Sequence, residues 1–144
     1  MKTWFDSFDL EFANLHGKGT LVERLGIEFI AADETSVTAR MPVDERTKQP
    51  AGVLHGGASV TLAETVATWA ASFAVDRSQF HCVGMEINAN HVRPVSEGFV
   101  LGTARALHLG RQTQVWEIHI VDEQERLVCI ARMTAAILPR PSGY

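Results

Sequence analysis

The chain has 144 residues, with 13 Lys and Arg against 17 Asp and Glu, a formal net charge of −4 and 46% hydrophobic side chains. That length fits a single domain, 1–144, with a genuine core. The acidic balance and the lack of a Lys/Arg cluster argue against nucleic acid as a partner. Cys82 and Cys129 lie far apart without metal-ligand spacing, so they read as reduced core thiols and no metal is expected.

The opening MKTWFDSFDLEF mixes acids among its aromatics and lacks the apolar run of a signal peptide. The one segment long enough for a membrane span is interrupted by a glutamate. The expectation is a cytoplasmic protein with no membrane partner. Phe5, Phe8, Phe12 and Leu15 recur at steps of three and four. This spacing predicts a short amphipathic helix over 4–16, packed outside the core or at an edge, within an N-terminal helical segment 1–20. Isoleucine, phenylalanine, valine and threonine then dominate 25–33 and 36–43, two strands with Asp33-Glu34-Thr35 as their turn.

The polar loop DERTKQPAG leads into 54–75, LHGGASVTLAETVATWAASFAV, in which Glu64 is the only formally charged side chain. A helix that is apolar nearly all round has to be buried. At about 1.5 Å per residue it would run roughly 30 Å, so other elements must wrap it. Four strand-like runs follow, 84–95, 99–107, 114–121 and 126–138, and the tail 139–144 reads as loose. In the first run Met85, Ile87 and Ala89 share one parity with His91 and Arg93, which predicts an inward-facing His91. Short connections make these strands an antiparallel sheet. The fold class is α+β, a strongly curved antiparallel sheet around one long buried helix.

Glu64 in such a helix is either a buried acid satisfied by a partner or a catalytic acid or base. The helix opens with His55-Gly56-Gly57, and glycines there leave the first backbone N–H groups open to close approach by a ligand. Those donors and the positive end of the helix dipole suit a carbonyl oxygen that becomes negative during acyl transfer. Gly56 and Glu64 are separated by about 12 Å along one helix. A reacting carbonyl needs its donor and its base each within roughly 3 Å. One helix cannot supply both. Two antiparallel copies related by a two-fold axis can, which predicts a homodimer with two shared active sites. Gln49, in the loop before the glycines, is the candidate polar contributor.

The run TKQPAGVLHGGASVTLAE, with GMEINANHVRP and the later HLGR, resembles the hotdog-fold acyl-CoA thioesterases. The resemblance covers 26–138. It is closest to the branch acting on aryl-CoA esters, which includes glutamate-using 4-hydroxybenzoyl-CoA thioesterases, 1,4-dihydroxy-2-naphthoyl-CoA thioesterase and the enterobactin proofreading thioesterase. It implies that Glu64 is the catalytic nucleophile or general base and that the Gly56 N–H polarises the thioester carbonyl. Gln49 and His55 would orient the thioester, with Thr68 near the attacking water. It further implies acyl and CoA contacts at Gly84, at His91, Val92, Arg93 and Pro94, and at the turn His108, Leu109, Gly110, Arg111, Gln112 and Thr113.

Acyl-CoA is then substrate, no cofactor is needed, and the assembly is a dimer of dimers. The rivals are a thioesterase acting on an acyl carrier protein, a hotdog dehydratase or hydratase, and a non-catalytic acyl-CoA sensor. The dehydratase reading lacks its usual proline-rich HFP-like entry. Trp69, Phe73 and Met85 either shape an aromatic pocket or pack an ordinary core.

Overall fold

The computed structural model describes residues 2–141. Its elements are α1 (Leu10–His16), α2 (Leu21–Arg24), β1 (Glu28–Ala32), β2 (Ser36–Pro42), α3 (Gly56–Phe73), β3 (Phe80–His91), β4 (Phe99–Leu109), β5 (Thr113–Asp122) and β6 (Leu127–Pro139). The strands form one antiparallel sheet in the order β1-β2-β4-β5-β6-β3. Every ladder except β2–β4 carries a bulge. Bulges bend a strand and add twist, so the sheet curls.

The hollow of that sheet is filled by α3, which joins β2 to the far edge strand β3 and packs on β2 through β6. Its buried face is mostly small, with Ala58, Ala63, Ala67, Ala70 and Ala71 beside Leu62, Val66 and Phe73. Opposite lie Val37, Ala39, Met41, Val100, Trp116, Ile118, Ile120 and Met133, all fully buried. Each large aliphatic side chain so buried contributes about 1.5–3 kcal/mol. The last turn is also tied down, because the Ala71 carbonyl accepts from the Cys82 thiol at 3.4 Å and the Gln114 amide at 3.5 Å. Burial pushes the Cys82 thiol up to about 11, and the Cys129 thiol also rises. Both are free and buried, as the sequence implied.

Several boundaries differ from the sequence reading, each for a local reason. The helix begins at Gly56 because His55 caps it, while Leu54 bridges to Lys48. It ends at Phe73, since Asp76 folds the following residues into a turn by accepting from the Ser78 N–H and hydroxyl. Its wrapping is one-sided. Thr61, Glu64, Thr65 and Thr68 are only half-buried, so the expected fully apolar surroundings of Glu64 are not those of the protomer. The four-residue α2, capped by Thr20, is too short to show a period. Strand β3 starts at Phe80 and stops at His91, earlier at both ends than the 84–95 run. The tail is not loose at its start, because Pro139 ends β6 and the Arg140 N–H donates to the Gln79 carbonyl at 2.8 Å. Residues 142–144 of the expected loose tail lie outside the described residues.

The N-terminal helix begins only at Leu10, where the Asp9 carboxylate accepts from the Phe12 N–H. The preceding residues are irregular, and two of them reach the core. Trp4 is buried and stacks on Trp116 at 6.0 Å, while Phe8 packs on Phe73 at 4.4 Å. This segment closes the outer edge of β1. The Asn14 amide accepts from the Phe29 N–H at 2.8 Å and donates to the Phe29 carbonyl at 2.9 Å. The Trp4 indole donates to the Asp33 carbonyl at 2.6 Å. At the opposite edge, β3 pairs only with β6 among the described residues.

The β1–β2 turn is fastened by the Asp33 carboxylate. It accepts from the Thr35 N–H at 2.7 Å, the Ser36 hydroxyl and N–H at 2.8 Å each, and the Thr35 hydroxyl at 3.1 Å. The Thr35 N–H chiefly, with the Ser36 hydroxyl next, holds the carboxyl well below its usual 3.8, at about 2. A depressed pKa contributes stability above the unfolded value of about 3.9 and loses it as pH falls through the folded value. Asp33→Ala is therefore expected to lower Tm near neutral pH, with the gap to wild type closing between about pH 4 and pH 2. Thermal melts across that range check it, and a gap independent of pH would assign the loss to something other than the carboxylate.

Candidate active site

His55 has extended backbone geometry, and its Nδ1 accepts from the Gly57 N–H at 2.8 Å, so the ring proton sits on Nε2. Its carbonyl accepts from the N–H groups of Ala58 and Ser59. The Gly56 N–H is left with no hydrogen-bond acceptor among the described residues. The loop before it is folded onto itself. The His55 N–H donates to the Thr47 carbonyl at 2.8 Å, the Leu54 N–H to the Val95 carbonyl at 2.7 Å, and the Gln49 N–H to the Val53 carbonyl at 2.9 Å. The half-buried Gln49 side chain accepts from the Ala51 N–H through Oε1.

Beside the helix start, β3 ends in the run His91 to Pro94, all four residues exposed. A methyl group placed on Gly56 would lie 3.0 Å from His91 Nε2, so the imidazole rests directly on that glycine. The Arg93 N–H and Nε donate to the carbonyls of Val128 and Leu127 at 3.3 Å each, which fixes the segment against β6. Together these residues border a cleft of about 380 Å³ lined by Val53, Leu54, Gly56, Ser59, His91, Val92, Arg93, Pro94 and Val128. Ser59 and Val128 were not singled out from the sequence. Ser59 was within reach of it, lying one turn beyond His55 on the same helix face.

Glu64 and Thr68 are elsewhere, two and three turns along α3. The carboxylate leans over Gly84 on β3 and makes no hydrogen bond among the described residues. Thr68 follows on the same face. The third group, 108–113, is the β4–β5 hairpin, in which the Gly110 N–H donates to the Thr113 carbonyl at 2.9 Å. The Gln112 carbonyl accepts from the Ile137 N–H at 2.8 Å, and Ile137 pairs with Cys82 near the start of β3. Thus the predicted residues fall at three levels along β3, and only those at the helix start form one cleft.

The strand itself departs from regular alternation. Its register with β6 shifts between Gly84 and Glu86. Cys82 and Gly84 face α3, Met85 is the extra residue and 63% exposed, and Ile87, Ala89 and His91 face α3 again. Hence the parity expected for Met85 fails while that of His91 holds. Nor do the aromatic residues line a pocket. Phe73 is buried, and Trp69 packs edge-on to Phe12 and Phe29 on the α1 side of the helix.

A long helix in the hollow of a curled six-stranded antiparallel sheet, with an open glycine N-terminus, is the hotdog arrangement, and the chain is a thioesterase of that fold. It belongs to the Thioesterase superfamily, whose family model matches residues 51–129. Among similar proteins, the 1,4-dihydroxy-2-naphthoyl-CoA hydrolase of Escherichia coli is 49% identical over 135 residues, 94% of this chain and 98% of that protein. The proofreading thioesterase EntH of Cronobacter turicensis is 48% identical over 135 residues with the same coverage, 94% and 98%. The crystal structure of a mutant of thioesterase PA1618 from Pseudomonas aeruginosa superposes with a TM-score of 0.94 at 48% identity, covering 96% of this chain and 99% of that one.

The His55 cap gives a prediction about stability alone. Loss of an N-cap side chain costs about 0.5–2 kcal/mol, and asparagine is a good substitute. His55→Ala should lower the denaturant midpoint while His55→Asn largely keeps it, as measured by urea unfolding. Equal losses in both variants would show that the ring packs rather than caps.

Proposed function

We propose that the chain hydrolyses aryl acyl-CoA thioesters at two sites shared across a homodimer. Gly56 would supply the backbone donor and Glu64 the nucleophile or general base. The observation that supports this is the spacing along β3. The donor end of α3 lies at one end of the strand, Glu64 lies about 12 Å further along the helix, and the outer edge of β3 has no strand partner among the described residues. Two copies joined antiparallel along that edge would bring the Gly56 end of each helix towards Glu64 of the other. The 108–113 hairpin, near the start of β3, would approach the same cleft. Exposed Arg93 and Arg111 then suit the phosphates of CoA.

The chemistry follows from the donor set. A thioester is already a good acyl donor, so the protein has chiefly to hold its carbonyl and present an oxygen nucleophile. With the carbonyl oxygen on the Gly56 N–H, Glu64 as general base takes a proton from water while the water oxygen bonds to the carbonyl carbon. The C–S bond then breaks, and the proton passes to the departing CoA thiolate. Acting instead as nucleophile, Glu64 displaces the thiolate to form a mixed anhydride, which water opens to release the acid. In either route Gln49, His55 and Thr68 orient the thioester and the water.

Release of free thiol from benzoyl-, hydroxybenzoyl-, naphthoyl- and hexanoyl-CoA by wild type and Glu64→Gln tests the reading. Aryl esters should be preferred, and the variant should lose about 100-fold or more in kcat while binding the ester. Ester binding without turnover in the wild type would leave a sensor, and turnover confined to acyl carrier protein would replace CoA as the bearer. Sharing of sites has its own readout. Glu64→Gln and a Gly56→Ala variant, each nearly inactive alone, should recover about a quarter of wild-type activity when unfolded and refolded together at equal amounts. Half of the dimers are then mixed, each with one intact site. No recovery, with mixed dimers demonstrated, would put each site within one copy.

A further inference from the structure

We propose that Gly84 is a positioning residue for Glu64, its missing side chain being the seat on which the carboxylate rests. This builds on the reading of Glu64 as the group that does the chemistry. Glycine inside a strand sacrifices packing and order, so its presence marks a bulge or a close approach. Both occur here. A methyl group on Gly84 would lie 2.6 Å from Glu64 Oε1, 3.6 Å from Cδ and 3.9 Å from Cγ. The clash is with the far end of a flexible side chain, not with backbone. An alanine there would leave the strand in place and push the carboxylate aside.

The bulge makes this seat compatible with the rest of the site. Gly84 and His91 are seven residues apart, an odd number, and a regular strand would point them to opposite faces. The extra residue, Met85, changes the parity between them. Gly84 can therefore sit beneath Glu64 while His91 rests on Gly56, both on the side facing α3. No hydrogen bond to another described residue holds the carboxylate, so contact with the β3 backbone is what limits its swing.

A matched set of variants tests the assignment: Gly84→Ala, Glu64→Asp, the double variant and Glu64→Gln. All are measured with whichever of the four CoA esters the wild type turns over fastest. Misplacement by about 1 Å can cost about 100-fold. Gly84→Ala should melt with the wild type and lose at least about tenfold in kcat with KM little changed. Asp is shorter by one methylene, about 1.5 Å, enough to relieve a contact at 2.6 Å. The kcat of the double variant should therefore stand about fivefold or more above the value obtained by multiplying the two single losses. Strictly multiplicative losses would overturn the proposal. So would a Gly84→Ala effect confined to KM, which would make the glycine a substrate contact. Unimpaired turnover by Glu64→Gln would instead remove the underlying reading of Glu64.

Discussion

The distance of closest approach between α3 and the sheet governs most of what the molecule can do. The helix buries alanines at 58, 63, 67, 70 and 71, so it sinks deep into the curve and packs on β2 through β6. Larger side chains would lift it and open the hollow, and overpacking of that kind is itself costly. Where the contact is tightest, alanine gives way to glycine on one partner or the other. Gly102 meets Leu62, Gly84 meets Glu64, and Gly56 meets the His91 ring. The first of these contacts serves the core and the other two serve the candidate site. The same close packing thus sets both stability and the placement of the side chains of the candidate site.

Strand β3 is where packing and chemistry meet. It is an edge strand, it meets α3 at both Gly56 and Glu64, and it carries a bulge between the two points of contact. The helix advances in steps of 1.5 Å and the strand in steps of about 3.3 Å. The eight helical residues from Gly56 to Glu64 therefore advance about 12 Å, and the six ladder steps from Gly84 to His91, opposite Ala135 to Cys129, about 20 Å. The bulge supplies the one residue of correction that alternation requires.

Much of this was legible in the sequence because it rests on local patterns. The alanine-rich run with its glycine start and single glutamate fixed the central helix, and the strand runs gave the sheet. The family resemblance then supplied the fold name and the candidate site residues. What escaped was set by tertiary contacts. The entry of Trp4 and Phe8 into the core depends on Trp116 and Phe73, far along the chain. The outward turn of Met85 depends on how β6 pairs with β3. The half-burial of Glu64 reflects a sheet that curls around only one side of the helix. The separation of donor and carboxylate, in contrast, followed from helix geometry alone.

The two edges of the sheet are treated differently, and Asn14 is the reason. Its amide fills the hydrogen-bonding slots of Phe29 as a neighbouring strand would, and the Trp4 indole donates to the Asp33 carbonyl just beyond the end of the strand. A margin occupied at Phe29 is a poorer template for a second strand than the outer edge of β3, which has no strand partner among the described residues. Were two copies to join along β3, the joined sheet would carry Asn14 near both extremities, where further strand addition is disfavoured. A single side chain far from the candidate site would thereby favour a closed pair over an open chain of copies.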